Sequence, residues 1–214
     1  MNNNNFQTYF DCGFSKVRAG TFNINNNVAF YAESEFFTDQ SNLELKIQKI
    51  ITSLEMDTNE YINNINLMID SPKIFSIGIS LSKKFDGSEL KQANIQFLVQ
   101  EAKQQILKYY PNQNIAHIII NNYKIDGINY PYLPDAIKCN FISLDILFIC
   151  LPTDLVVYFK KIFSKSNILI NEISCSSYAK SNNYKNNLNL SGYISFVDIG
   201  FNKTSIISYF NSKI

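Results

Sequence analysis

Two short segments near the two ends of the 214-residue chain share one local design. Each is an apolar strand that closes on an Asp. A Gly follows two residues later, and then a second strand that carries a hydroxyl side chain. The segments are FDCGFSKVRAG around Asp11 and FVDIGFNKTSII around Asp198. One Asp-x-Gly is a common turn. Two of them, each bounded by strands, demand two tight strand–turn–strand units and a fold that accommodates both.

The chain between them alternates strands with helices, which predicts an α/β class. Phe6–Asp11 reads as a strand. Val17–Asn23 and Val28–Ala32 read as a hairpin across Asn25–Asn27, where Asn tolerates positive φ. Leu43, Ile47, Ile50, Ile51 and Leu54 recur at helical spacing and predict a helix from Ser41 to Met56. Ser41 and Glu44 form a capping box at its start. Asn64–Asp70 is the next strand.

From Ser71 to Leu151 the pattern is strand, helix, strand, strand, strand, a small α+β unit entered near Pro72 and left near Pro152. Its strands are Ile74–Leu81, Ile115–Asn121, Tyr123–Ile125 and one long or two short strands within Ile137–Cys150. Turns fall at Asp86-Gly87 and Asp126-Gly127. Its helix carries the stripe Leu90, Phe97, Leu98, Ala102 and Leu107 and ends at Pro111. After Pro152 a helix places Leu155, Val156, Phe159, Ile162 and Phe163 on one face, with Thr153 as N-cap. Its Lys160, Lys161 and Lys165 read as a solvated basic face. Ile168–Ile173 is a strand, Ser176–Lys180 a short helix start, and Ser181–Leu190 a polar loop. Tyr193–Asp198 and Thr204–Phe210 form the last hairpin, around Gly200.

Composition excludes several function classes. Nineteen Lys and Arg against eighteen Asp and Glu leave a formal charge of +1. A nucleic-acid binder needs a basic excess for phosphate contacts. No segment reaches the roughly 18 apolar residues of a membrane span, and no charged-then-apolar leader opens the chain. The four cysteines, Cys12, Cys139, Cys150 and Cys175, lie far apart. With a single His, they offer neither a zinc site nor a His-dependent triad. Reduced, buried thiols in a cytosolic protein are expected. Cys12 alone has a position, inside the first turn, that suggests reactivity. His117, flanked by Ile115 and Ile118–Ile120, reads as a packed strand residue.

The order of motifs resembles the bacterial cell-division family FtsA, an actin-like ATPase family with an inserted SHS2 subdomain, and its alphaproteobacterial branch in particular. The family's first phosphate loop reads D-I-G-T-S-K-V; here it is Asp11-Cys12-Gly13-Phe14-Ser15-Lys16-Val17. Ala116-His117-Ile118, Tyr123, Asp126 and Gly127 follow the order of the family's L-H-x-x-P-x-x-Y-x-x-D-G. Ile142–Leu151 resembles its closing strand. FKKIFSKSNILINE, from Phe159 to Glu172, resembles N-x-x-x-C-I-E-R-x-G-L-x-V-E. Ser176-Ser177-Tyr178-Ala179 is similar to the segment after it.

The resemblance implies an actin-like (RNase H-like) lobe with an inserted SHS2 subdomain and a second lobe largely missing. Residues 1–70 and 152–190 would be subdomain 1A, 71–151 subdomain 1C, and 191–214 the first hairpin of the second lobe. It implies ATP and Mg²⁺ as cofactors. The contacts would come from Asp11, Gly13, Ser15, Lys16, Asp198, Gly200 and Thr204, with Asp11 on the metal. A strand-end carboxylate holds hydrated Mg²⁺, turn amides and hydroxyls meet phosphate oxygens, and a Lys neutralises charge.

It further implies a divisome adaptor at the inner face of the cytoplasmic membrane, reaching the membrane only indirectly and binding no nucleic acid. Division proteins and self-association would use 71–151. FtsZ is the family's partner, although its binding region has no counterpart here. Departures from the family qualify the cofactor. Its second loop is D-I-G-G-G-T-T, whereas Phe201 and Asn202 replace two of those glycines. A Phe there should block the approach of backbone to phosphate or force a different turn. Phe14, Ser71-Pro72 and Asn121-Asn122 also depart from the pattern. Binding of ATP by this chain is therefore expected to be weak, and an active ATPase is not expected. Other readings are a pilus-assembly scaffold of the PilM type and an actin-fold phosphotransferase.

Overall fold

The structure, a computed structural model, describes residues 6–23, 25, 29–35, 42–211 and 213–214. The chain divides into two compact units. The first takes Met1–Lys73, Asp154–Leu190 and Ser195–Ile207; the second takes Ile74–Thr153, Ser191–Ile194 and Ser208–Ile214.

The first unit is built on a five-stranded sheet. Its strands are β1 (Phe6–Cys12), β2 (Lys16–Asn23), β3 (Ala29–Glu35), β4 (Asn64–Ile69) and β9 (Leu169–Cys175), in the order β3-β2-β1-β4-β9. β1 pairs antiparallel with β2, and β2 with β3. β4 runs parallel to both β1 and β9. The turn expected at Asn25–Asn27, with the strand start at Val28, falls largely outside the described residues.

Strand alternation sends Phe10 and Cys12 to one face of the sheet and Asp11 to the other. On the first face α1 (Leu43–Thr58) buries Leu43, Ile47, Ile50, Ile51 and Leu54. There α3 (Thr153–Lys165) buries Val156, Phe159, Ile162 and Phe163. These are the apolar positions expected from helical spacing, except that Leu155 is only partly buried. Phe10 and Phe163 meet edge to face with centroids 5.1 Å apart. Each such buried side chain contributes about 2 kcal/mol.

Ser41 of the expected capping box lies outside the described residues. Glu44 instead takes the Lys165 ammonium at 2.6 Å, which ties α1 to the basic face of α3. Thr153 is not an N-cap but the first residue of α3. Its hydroxyl accepts a hydrogen bond from the Asn114 amide at 3.0 Å.

The second unit has a four-stranded antiparallel sheet with the order β5-β8-β6-β7. The strands are β5 (Phe75–Glu89), β6 (Gln113–Ile125), β7 (Ile128–Tyr130) and β8 (Lys138–Pro152). Helix α2 (Gln92–Tyr109) covers it with Ile95, Leu98, Ala102 and Ile106. Ile142, Leu144, Ile146 and Phe148 lie beneath.

The expected stripe placed Phe97 and Leu107 on the buried face, but both are exposed. Each sits one residue off the i, i+3, i+4 spacing of the true stripe, which is about 100° around the helix. Asp86-Gly87 does not end its strand. Both residues take positive φ in an irregularity between Lys84 and Ser88, and β5 resumes beyond it. The turn expected at Asp126-Gly127 is present, with φ of 46° and 88°. The Asp126 carboxylate accepts the amides of Asn140 and Phe141.

The polar stretch expected to be a loop is helical. α4 spans Ser176–Asn187. It is polar all round and buries only Ser176, Ser177 and Ser181, so no apolar period announced it. The last hairpin pairs β10 (Tyr193–Ile199) with β11 (Thr204–Phe210) as a separate two-stranded sheet. Among the described residues, no helix is long and apolar enough to cross a membrane.

Candidate functional site

Within the first unit, a polar cavity of about 190 Å³ opens at the carboxyl ends of β1 and β4. In open parallel sheets this is where ligand crevices form. Asp11, Gly13, Ser15 and Lys16 line it from the first turn, and Asp198 and Gly200 from the second. Six of the seven residues singled out by sequence therefore meet here. Thr204 does not. It is exposed at the start of β11 and lies outside the lining.

The two turns are built alike. The Gly13 amide donates to the Lys16 carbonyl at 3.1 Å, and the Gly200 amide to the Lys203 carbonyl at 2.8 Å. A Cβ on Gly13 would stand 3.2 Å from that carbonyl, and on Gly200 3.0 Å. A side chain at either position would therefore press on the carbonyl that closes the turn, which would have to give by a few tenths of an ångström. The turn that carries Phe201 repeats the first turn, which carries Phe14. The Phe201 ring stacks on Phe14 with centroids 6.0 Å apart and planes 13° apart. Both rings line the cavity.

The electrostatics depart from the expectation for a metal-and-phosphate site. Asp11 is buried. Its Oδ1 accepts the Ser176 hydroxyl at 2.7 Å, at the first turn of α4, where the helix dipole favours a carboxylate. Its Oδ2 faces the Lys180 ammonium at 3.2 Å and the Arg18 guanidinium at 3.6 Å. The same Lys180 lies 3.7 Å from Oδ2 of Asp198. That oxygen is buried and makes no hydrogen bond. Asp70, just past β4, accepts Lys203 at 2.8 Å. Lys16 turns to Glu33 on β3 at 3.3 Å, and Arg18 also reaches Glu33, at 3.7 Å. Hydrogen bonds from Tyr31 and then Lys16 hold the Glu33 carboxyl below the usual carboxylate range.

A hydrated divalent cation does not fit this arrangement. Both oxygens of Asp11 are engaged, and a cation there would meet two positive side chains. Among the described residues, no group of three or more His, Cys, Asp or Glu side chains is placed to hold a metal ion. The cavity is also below the roughly 300–1,000 Å³ usual for small-molecule pockets. The position of Cys12 disfavours the reactive thiolate. Burial pushes the thiol well up, the charge of Asp11 adds to the shift, and the side chain lies in the core.

Lys180, Arg18, Asp70, Lys203 and Ser176 were not identified from the sequence. Part of the signal was there. Both turns read Asp-x-Gly-Phe-x-Lys, and Asp70 also follows the end of an apolar strand. Lys180, in a helix with no apolar period, left none.

No protein-family model and no curated protein sequence matches the chain. Solved structures do. One is described as a PilM-PilN type IV pilus biogenesis complex. Its match has a TM-score of 0.69 at 9% identity, covering 97% of this chain and 59% of that one. Another is a Bacteroides thetaiotaomicron protein described as having an actin-like ATPase fold and unknown function. There the TM-score is 0.51 at 13% identity, covering 98% of this chain and 67% of that one. At such identities the likeness concerns the fold alone. The chain thus spans about three fifths of the first and two thirds of the second, and its fold is that of part of an actin-like ATPase.

Proposed function

We propose that the chain is an actin-fold adaptor that works by docking other proteins rather than by turning over ATP, and that its role is FtsA-like, in the divisome at the inner face of the cytoplasmic membrane. One observation carries the non-enzymatic part. The carboxylates facing the cavity are neutralised by the chain's own cations, with Lys180 between Asp11 and Asp198. Six of the seven proposed nucleotide contacts line one cavity, and the charged ones among them are paired with other side chains of the chain, Asp11 and Asp198 with Lys180 and Lys16 with Glu33.

The order of family motifs along the chain supports the division role. In this reading 1–70 and 152–190 are subdomain 1A, 71–151 is the SHS2-like subdomain 1C through which the protein meets division proteins and copies of itself, and 191–214 opens the second lobe. A second reading has its own support. The likeness to the PilM-PilN complex at a TM-score of 0.69 favours an adaptor in type IV pilus biogenesis.

A fluorescent fusion expressed in the source bacterium separates the two. A midcell band that depends on the FtsZ ring is expected. Location at pilus-bearing poles, or loss of piliation without a division defect on deletion, would move the assignment to the pilus reading. Calorimetry with Mg-ATP tests the non-enzymatic part; micromolar binding lost in Asp11→Ala would overturn it.

A further inference from the structure

We infer that Lys180 is a built-in counter-ion, standing between the Asp11 and Asp198 carboxylates, excluding a divalent cation from them and locking the two turns together without ligand. The inference deepens the adaptor reading and rests on its premise that the cavity holds no metal-bound nucleotide. Three aspartates converge on the cavity, Asp11 from β1, Asp70 after β4 and Asp198 from β10. Unscreened, such a group repels itself. Here one ammonium spans two of the carboxylates, at 3.2 Å and 3.7 Å, and Lys203 caps the third at 2.8 Å.

Lys180 comes from α4, the helix whose first residue, Ser176, also holds Asp11. The carboxylate and its cation are thus oriented by one rigid element. A second hydroxyl of that helix, Ser177 Oγ, donates to Ser205 Oγ at 3.1 Å. With the Phe14–Phe201 stack, side chains tie the stretch from Asp198 to Ser205 to the first turn, to the end of β4 and to α4. Breaking a partly buried pair by removing one partner leaves the remaining charge uncompensated. Arg18 would still face Asp11 Oδ2 at 3.6 Å, but it is the more distant and more exposed of the two cations, so removal of the ammonium should loosen the turns and also uncover Asp11 and Asp198 as metal ligands.

The test uses the full chain, with Mn²⁺ as the probe. Uptake is followed by loss of the free-ion paramagnetic resonance signal, and stability by thermal unfolding. The unaltered protein is expected to take up no Mn²⁺ at millimolar concentration and to keep its Tm. Lys180→Met should unfold about 3 °C lower in metal-free buffer, take up Mn²⁺ and regain Tm with it. Lys180→Arg should keep the original Tm, and Asp11→Asn in the Lys180→Met background should abolish uptake. Uptake by the unaltered protein that Asp11→Asn abolishes overturns the inference. So does a Lys180→Met protein that takes up no Mn²⁺, whatever its Tm. None of these readouts depends on where the protein acts in the cell. A failed division role leaves them unchanged, and their failure leaves the localisation result standing.

Discussion

The turns at Asp11–Lys16 and Asp198–Lys203 have one pattern and two electrostatic outcomes. Both close with the glycine amide on the lysine carbonyl. Both offer a Phe to the same stack. Yet Lys16 points to Glu33 on the neighbouring edge strand β3, whereas Lys203 points to Asp70 at the end of β4. Asp11 is buried and fully engaged, while Asp198 is more open, with an oxygen that makes no hydrogen bond. Local sequence dictates the turn, and the neighbours from α4, β3 and β4 dictate what its charges do.

That contrast can be broken most strongly at the aspartates. Asp11→Ala removes the shared partner of Ser176, Lys180 and Arg18. It should cost about 3 kcal/mol, at the lower end for a broken buried pair because both cations are partly solvated. Asp198→Ala should cost under about 1 kcal/mol. Urea unfolding of the two variants measures the difference; equal losses would mean that the turns are equivalent after all.

A pH series sharpens the comparison by setting the turns against the second unit. There burial lowers the pKa of His117 on β6 from 6.5 to about 4. Between those values the unfolded chain binds a proton that the folded unit refuses, so stability falls as pH drops from about 6.5 towards 4. The full shift corresponds to about 3 kcal/mol, and partial exposure reduces this to about 2 kcal/mol. His117→Gln should flatten this part of the profile in urea unfolding, and Asp11→Asn should leave it in place.

The glycines come next. Gly200→Ala should cost about 1–2 kcal/mol and Gly13→Ala about 1 kcal/mol, following the closer approach of the Lys203 carbonyl. The reverse order in thermal unfolding would contradict the turn geometry. The smallest effect is at the rings. Phe14→Ala and Phe201→Ala should each cost about 0.5–1 kcal/mol, and the double variant less than the sum, because the two rings share one stack.

Much of the fold was legible before the structure. The stripes of α1 and α3 repeat at helical spacing, and the strands around Asp11, Asn64–Ile69 and Asp198 are short apolar runs with polar stops. The stripe of α2 was misread because Phe97 and Leu107 are apolar without being buried, and an apolar residue at the surface carries no penalty large enough to exclude it. α4 was missed because it buries serines. At the site, six residues were legible as two turns. The cations that neutralise them were not.

The sequence by itself determined the alternation of elements, the two Asp-x-Gly turns and the core faces, because these depend on φ/ψ preferences and on side-chain periods within a few residues. Only the tertiary structure decided that the turns close on one cavity and that Lys180 lies between their carboxylates. An ion pair between Asp11 and Lys180 joins distant positions in the chain. Its energy depends on a separation of a few ångströms that the packing of α4 beside β4 and β9 sets and that no local pattern encodes.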